Sequence, residues 1–254
     1  MTIIALPAFQ DNYIWVIMAE THQTFACVDP GDAEPVLSFA NTSGLELNYI
    51  LITHHHHDHM GGLHDLLRAF PKAHAYAPND LRIPQPYTIA TSEKPVIVAP
   101  YAFQVLSTPG HTSSHICYYE PHQHWLFCGD TLFSAGCGRV FDGTMEALHA
   151  SLLQLKNLPA DTQVYCGHEY TRQNLNFAAT IEPGNLDISH YAAILAKSPT
   201  QLSLPSTIAM EKKINPFLRT NVDSVIKYAQ SHGVSSPDSL SIFKRLRDKK
   251  DTFV

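Results

Sequence analysis

Residues 52–62 read ITHHHHDHMGG and directly follow the apolar run Tyr49–Ile52. Four consecutive histidines followed by Asp58 and His59 are either a solvated polar run or metal ligands with spare histidines between them. Residues two apart on an extended segment point the same way, so His54 and His56 share a side and suit one ion. Gly61 and Gly62 allow a tight turn into the helical pattern GGLHDLLRAF, which swings Asp58 and His59 toward a second ion. His55 and His57 then fall on the opposite side as bystanders. An accidental run rarely sits at a strand end beside Asp-His, and the position favours ligands.

Three further strand ends present residues of ligand type: STPGHT carries His111, LFCGDT carries Asp130 and VYCGHE carries His168. Singly, Asp130 reads equally well as a helix cap and His168 as a core histidine. Together with the first motif they make five histidines and two aspartates, all in loops after strands. With Asp130 as a bridge, His54, His56, His111 and Asp130 surround one ion; Asp58, His59, His168 and Asp130 surround the other. Imidazole and carboxylate donors without thiolate suit zinc, iron or manganese.

The rest of the chain sets the frame. At 254 residues it suits one large domain, or a large one with a smaller appendage. Hydrophobic residues make up 44% and charged ones 16%, so a packed core is expected. A net charge of −6 argues against a general nucleic-acid or anionic-membrane partner. The opening MTIIALPAFQDNYIW lacks the basic region of a signal peptide, and no apolar run reaches the ~18 residues of a membrane span. Five scattered cysteines, odd in number and without CxxC spacing, fit a reduced, cytoplasmic protein.

Up to residue 168 short strands alternate with helical patterns, which predicts a layered α/β domain. Strands are expected at Phe25–Val28, Tyr49–Ile52, Ala73–Ala77, Phe103–Leu106, His115–Tyr119, Trp125–Cys128 and Val164–Cys166. After His168 only helical patterns recur: EYTRQNLNFAATI, ISHYAAILAK, VDSVIKYAQSHG and PDSLSIFKRLRDKK. The expected division is therefore 1–168 and 169–254.

HxHxDH with the spaced His, Asp and His resembles the metallo-β-lactamase superfamily. The stretches TPGHTSSH, GDTLFSAGCGR, CGHEYT and RDKKDTF narrow that resemblance to the hydroxyacylglutathione hydrolase (glyoxalase II) family. It implies an αββα sandwich of two mixed sheets with a C-terminal all-helical domain that binds substrate. It also implies two divalent ions, most readily zinc, and hydrolysis of S-D-lactoylglutathione by a metal-bridging hydroxide that Asp58 helps orient. The family's terminal Arg-x-x-Lys, which grips the glycine carboxylate of glutathione, falls on Arg247 and Lys250, and its tyrosine after the last histidine ligand is Tyr170. Where the eukaryotic pattern has Lys and Tyr after GCG, this sequence has Arg139, which keeps the charge, and Phe141, which has no hydroxyl. The nearest rival is another enzyme of the same superfamily, a persulfide dioxygenase with one iron, which typically leaves Asp58 and His59 free of metal and lacks the basic tail. The expected partner is a small glutathione thioester, and a monomer is expected.

Overall fold

The computed structural model describes residues 2–18, 23–197 and 202–253. Met1 and Val254, the outer ends of the two expected segments, lie outside them. The chain divides into two compact units, residues 1–107 with 114–129, and residues 108–113 with 130–254.

The first unit contains strands β1 (Thr2–Ala8), β2 (Asn12–Met18) and β3 (Thr24–Val28), helix α1 (Glu34–Ser43) and strand β4 (Glu46–Leu51). Then come α2 (His57–Met60), α3 (Leu63–Ala69), β5 (His74–Ala77), β6 (Thr88–Ile89), β7 (Val96–Val98), β8 (Tyr101–Ser107), β9 (Ile116–Glu120) and β10 (Trp125–Gly129). One sheet runs in the order β1-β2-β3-β4-β5-β6. β1 to β3 pair antiparallel, whereas β3 to β5 pair parallel because α1 and then α2–α3 carry the chain back between strands; β6 also pairs parallel with β5, after the non-helical connection 78–87. Val36, Ala40, Leu63 and Leu66 of α1 and α3 pack with Val16, Cys27, Leu47 and Ile50 of the strands in one core. Burial runs along almost all of β2, so the strand shows no alternation of apolar and polar residues. Strands β7 to β10 form an antiparallel ladder. The fully buried Tyr118 hydroxyl of β9 donates to the carbonyls of Ile52 (2.9 Å) and Tyr76 (3.2 Å), tying this ladder to the ends of β4 and β5.

The second unit contains the two-residue strands β11 (Leu132–Phe133) and β12 (Gly136–Cys137), α4 (Met145–Lys156) and β13 (Gln163–Cys166). It continues with α5 (Thr171–Ile181), α6 (Leu186–Lys197), β14 (Ser206–Thr207), α7 (Ile208–Ile214), α8 (Asp223–Ser231) and α9 (Ser239–Asp251). Side-chain caps start α4, α7 and α9: Thr144 accepts from the Ala147 N–H, Thr207 from the Met210 N–H, and Asp238 from the N–H groups of Leu240 and Ser241. Leu175, Ala178, Ile188, Leu195 and Ile214 form the core of α5, α6 and α7. The short β14, which pairs antiparallel with β13, interrupts the otherwise helical stretch after residue 168. Two residues are too few to leave a periodic pattern.

Glu211 of α7 is fully buried and holds the β11–β12 turn from behind. It accepts from the Ala135 N–H (2.8 Å), Asn215 Nδ2 (3.0 Å) and the Ser206 hydroxyl. Ala135 makes that turn at φ 56°, a left-handed conformation uncommon for a non-glycine residue. Burial pushes the Glu211 pKa up, against these hydrogen bonds. Glu211→Ala should cost about 2–5 kcal/mol in urea unfolding, since an unmade buried hydrogen bond costs ~1–3 kcal/mol. With a raised folded-state pKa, the Glu211 contribution is full below the ordinary carboxyl pKa of about 4 and declines as pH rises. The loss in Glu211→Gln should therefore be largest at low pH and shrink toward neutrality.

Candidate metal centre

In the first unit the centre is built on the carboxylate of Asp29, which follows β3 in the loop DPGD. Its N–H donates to the Leu51 carbonyl at the end of β4 (2.8 Å). Its Oδ1 accepts the Thr53 N–H (2.8 Å), and its Oδ2 accepts both the Thr53 hydroxyl (2.7 Å) and His59 Nδ1 (2.9 Å). This assigns the tautomers. His59 donates through Nδ1, so Nε2 carries the lone pair. The Thr53 hydroxyl spends its proton on Asp29 and accepts from His54 Nδ1 (3.0 Å), so His54 Nε2 likewise carries a lone pair.

The His59 Nε2 lies 3.5 Å from Asp58 Oδ2, which also accepts Asn12 Nδ2 at 2.9 Å. The rings of His56 and His59 lie 4.7 and 4.2 Å from that of His54. His55 turns its Nδ1 toward Asp80 Oδ2 at 3.5 Å, and His57 is exposed. Asp29, His54 and His59 also form a group of ligand type. Both Asp29 oxygens are occupied by Thr53 and His59, however, so Asp29 orients ligands rather than supplying one.

The expected reason for the separation of the histidines needs correcting. β4 ends at Leu51, and His54 lies in the bend beyond it, while His56 is the extended residue before α2. A turn, not strand alternation, separates His54 and His56 from His55 and His57. Gly61 and Gly62 also act differently from expectation, since their φ values of −60° and −79° are open to any residue. They are needed for close approach: a Cβ would stand 2.5 Å from the Gly31 carbonyl oxygen at Gly61, and 2.8 Å from that of Pro30 at Gly62.

In the second unit, His111 Nδ1 donates to the Arg139 carbonyl (2.7 Å), leaving the Nε2 lone pair 3.5 Å from Asp130 Oδ2. His168 Nε2 lies 3.4 Å from the same oxygen, and its ring stacks on Tyr170 at 4.7 Å and 6°. A Cβ at Gly138 would stand 2.0 Å from the Asp130 carbonyl oxygen, so glycine is required beside the ligand. Two atoms each about 2.0–2.1 Å from a tetrahedral ion lie ~3.4 Å apart. The His–Asp spacings of 3.4–3.5 Å match that edge and are too long for strong hydrogen bonds. The donor set therefore fits a divalent metal ion.

The residues expected at the substrate all lie in the second unit. Phe141 is 62% exposed, with its ring edge-on to His111 at 5.2 Å. Arg139 is exposed and pairs with Asp251 (3.2 Å). Arg247 is only 4% exposed and donates to the Cys137 carbonyl (2.9 Å) and to Asp251 (2.9 Å). Lys250 lies 5.4 Å from the ring centres of both Phe177 and Phe253, and burial, followed by the Arg247 charge, lowers its pKa. Asp29, Thr53 and Asn12 were missed by sequence reasoning. The signal available for Asp29 was its place after a strand, the same one that marked His111, Asp130 and His168.

A metallo-β-lactamase superfamily model matches residues 12–100 and 102–168, and a hydroxyacylglutathione hydrolase C-terminus model matches 169–253. The hydroxyacylglutathione hydrolase of Legionella pneumophila (strain Corby) is 51% identical over 253 residues, covering 100% of both chains. Among solved structures, the BLEG-1 B3 metallo-β-lactamase is similar with a TM-score of 0.66 at 23% identity, over 85% of this chain and 99% of that one. TTHA1623 in a di-iron-bound form has a TM-score of 0.62 at 25% identity, over 86% of this chain and 100% of that one. The fold is thus the expected αββα sandwich of two mixed sheets with a C-terminal helical region.

Removing the Asp29 carboxylate should free His59 to rotate. Asp29→Ala is expected to weaken divalent-metal binding about ten- to a hundredfold in competition with a chromogenic chelator. Unaltered affinity would show that His59 is held by other means.

Proposed function

The chain belongs to the hydroxyacylglutathione hydrolase family of the metallo-β-lactamase superfamily, and we propose that it hydrolyses S-D-lactoylglutathione and related 2-hydroxyacyl glutathione thioesters. The products are the free 2-hydroxy acid, D-lactate, and glutathione, which makes this the second step of methylglyoxal detoxification. The observation that carries the reading is the convergence of His111 and His168 on one oxygen of Asp130, at 3.5 and 3.4 Å.

Two ions per chain are proposed, zinc first, with iron or manganese as alternatives. One is assigned to His54, His56, His111 and Asp130, the other to Asp58, His59, His168 and Asp130. When bound, such ions supply a water ionised near neutral pH and polarise the thioester carbonyl. The chain's own residues hold and orient. Asp58, fixed by Asn12, aims its carboxylate at the attacking oxygen, and the thiolate leaving group needs no general acid.

Substrate selection is assigned to the second segment of a 1–168 metal-bearing and 169–254 substrate-binding division, together with Arg139 and Phe141. Tyr170 hydrogen-bonds the tripeptide backbone. Arg247 and Lys250, with Arg139, provide the charge at the glycine carboxylate: the buried Arg247 acts through its charge, Lys250 and Arg139 by contact. Phe141 contributes apolar surface beside His111. Five free, buried cysteines support a reducing, cytoplasmic setting, and a monomer without nucleic-acid or membrane partners is assigned. Among the described residues no helix is long and apolar enough to cross a membrane.

The test is to assay the metal-loaded protein with S-D-lactoylglutathione while measuring metal per chain. Activity with two ions per chain is expected; a single ion, or none of this activity, would overturn the reading. Asp130→Ala should abolish activity and lower metal content, because both coordination spheres lose a ligand. His55→Ala and His57→Ala should leave metal content near that of the parent protein, and a large loss in a folded variant would reassign the ligands.

A further inference from the structure

Asp251, the last residue of α9, gathers two arginines. Its Oδ1 accepts from Arg247 Nε (3.1 Å) and Nη2 (2.9 Å) and from Arg139 Nε (3.2 Å). Its backbone carbonyl accepts Arg139 Nη2 (3.2 Å). The two guanidinium groups are not equivalent. The Arg247 side chain is 5% exposed, lies 5.3 Å from the centre of the Phe217 ring, and sends Nη1 to the carbonyls of Cys137 and Gly138. It is fixed and has little left for a ligand. Arg139 is 55% exposed and, among the described residues, is tied only through Nε and Nη2, so its Nη1 donors remain for a bound anion.

We propose that Asp251 is a positioning residue that sets selectivity for the substrate's carboxylate. Anchored on the buried Arg247, it holds the exposed Arg139 in the pose from which Arg139 meets the glycine carboxylate of the thioester. This rests on the glutathione thioester reading above. An exposed arginine loses much rotamer freedom when it orders on a ligand, and one already held loses less. Removing the Asp251 charge also leaves the region more positive, which favours an anion. At so exposed a site that effect is weak and screened by salt, so orientation outweighs it.

The experiment compares S-D-lactoylglutathione with its analogue in which the glycine carboxylate is amidated. Asp251→Asn should raise KM for the first substrate about three- to thirtyfold, with a much smaller change in kcat. It should also erase most of the preference over the amide. Arg139→Ala, a substitution at an exposed site that leaves the core intact, should do the same. The double variant should be no worse than the more impaired single one, because both remove the same interaction. Asp251→Glu should restore part of the affinity, which a merely structural loss would not predict. Thermal melts confirm that each variant is folded. Additive effects, or a KM that is unchanged or lower in Asp251→Asn, overturn the proposal. If the parent protein turns over both substrates equally, carboxylate recognition by the tail fails and the proposal with it. If the parent discriminates and Asp251→Asn discriminates as well, only the role of Asp251 fails.

Discussion

The Asp29 carboxylate ties the ends of two parallel strands to the first group of histidines. Val28 lies opposite Leu51 in the β3–β4 register, so the residues just after each strand are neighbours. Asp29 bonds back to Leu51 and forward to Thr53 and His59, and thereby sets both the path of the loop and the orientation of two imidazoles. Its φ of 53° is left-handed, a conformation that aspartate tolerates better than most residues. The loop then passes so close to Asp58 that a Cβ at Gly31 would stand 1.9 Å from the Asp58 carbonyl oxygen. Ligand geometry here depends on backbone packed against backbone, with a carboxylate between two strand ends.

That dependence explains which parts of the site were legible in the sequence. Histidine is rare enough that a run of four beside Asp-His stands out, and His111, Asp130 and His168 each follow an apolar strand and a small turn residue. Asp29 follows a strand in the same way, but Asp-Pro-Gly-Asp is also ordinary turn chemistry. Only the fold brings its oxygens to His59, 30 positions along the chain. Most of the strands and helices expected from periodicity are present to within a residue or two. The β1–β2 hairpin, α1 and α7 were not expected: β2 is buried along its length, and the short α7 carries little periodic signal.

The basic tail shows a different limit. Spacing places Arg247 and Lys250 on one helical face, and both lie in α9. Spacing does not reveal depth. Arg247 is buried because Cys137, Gly138, Asp251 and the Phe217 ring meet its guanidinium, partners that, apart from Asp251 on the same helix, come from distant positions in the chain. A buried cation without such partners would be strongly destabilising. Lys250, three residues on, keeps part of its surface and lies near two phenylalanine rings, so one motif yields an anchor and a more accessible charge.

The cysteines explain why the donor set contains only nitrogen and oxygen. All five are free and buried. Burial pushes the thiols of Cys27 and Cys166 far up and that of Cys137 up to about 11, with Arg247 opposing the last shift. A thiolate would be a strong ligand for zinc and a competent nucleophile toward a thioester. Both roles require the deprotonated form, which burial suppresses near neutral pH. Cys137 lies between Gly136 and Gly138, next to the loop that carries Arg139, and is the thiol closest in sequence to the residues assigned to the substrate. Its raised pKa keeps it a small apolar packing residue there. A protonated thiol there is a poor acyl acceptor, in keeping with the proposed attack on the thioester by water ionised at the metal site that the imidazole and carboxylate groups would hold.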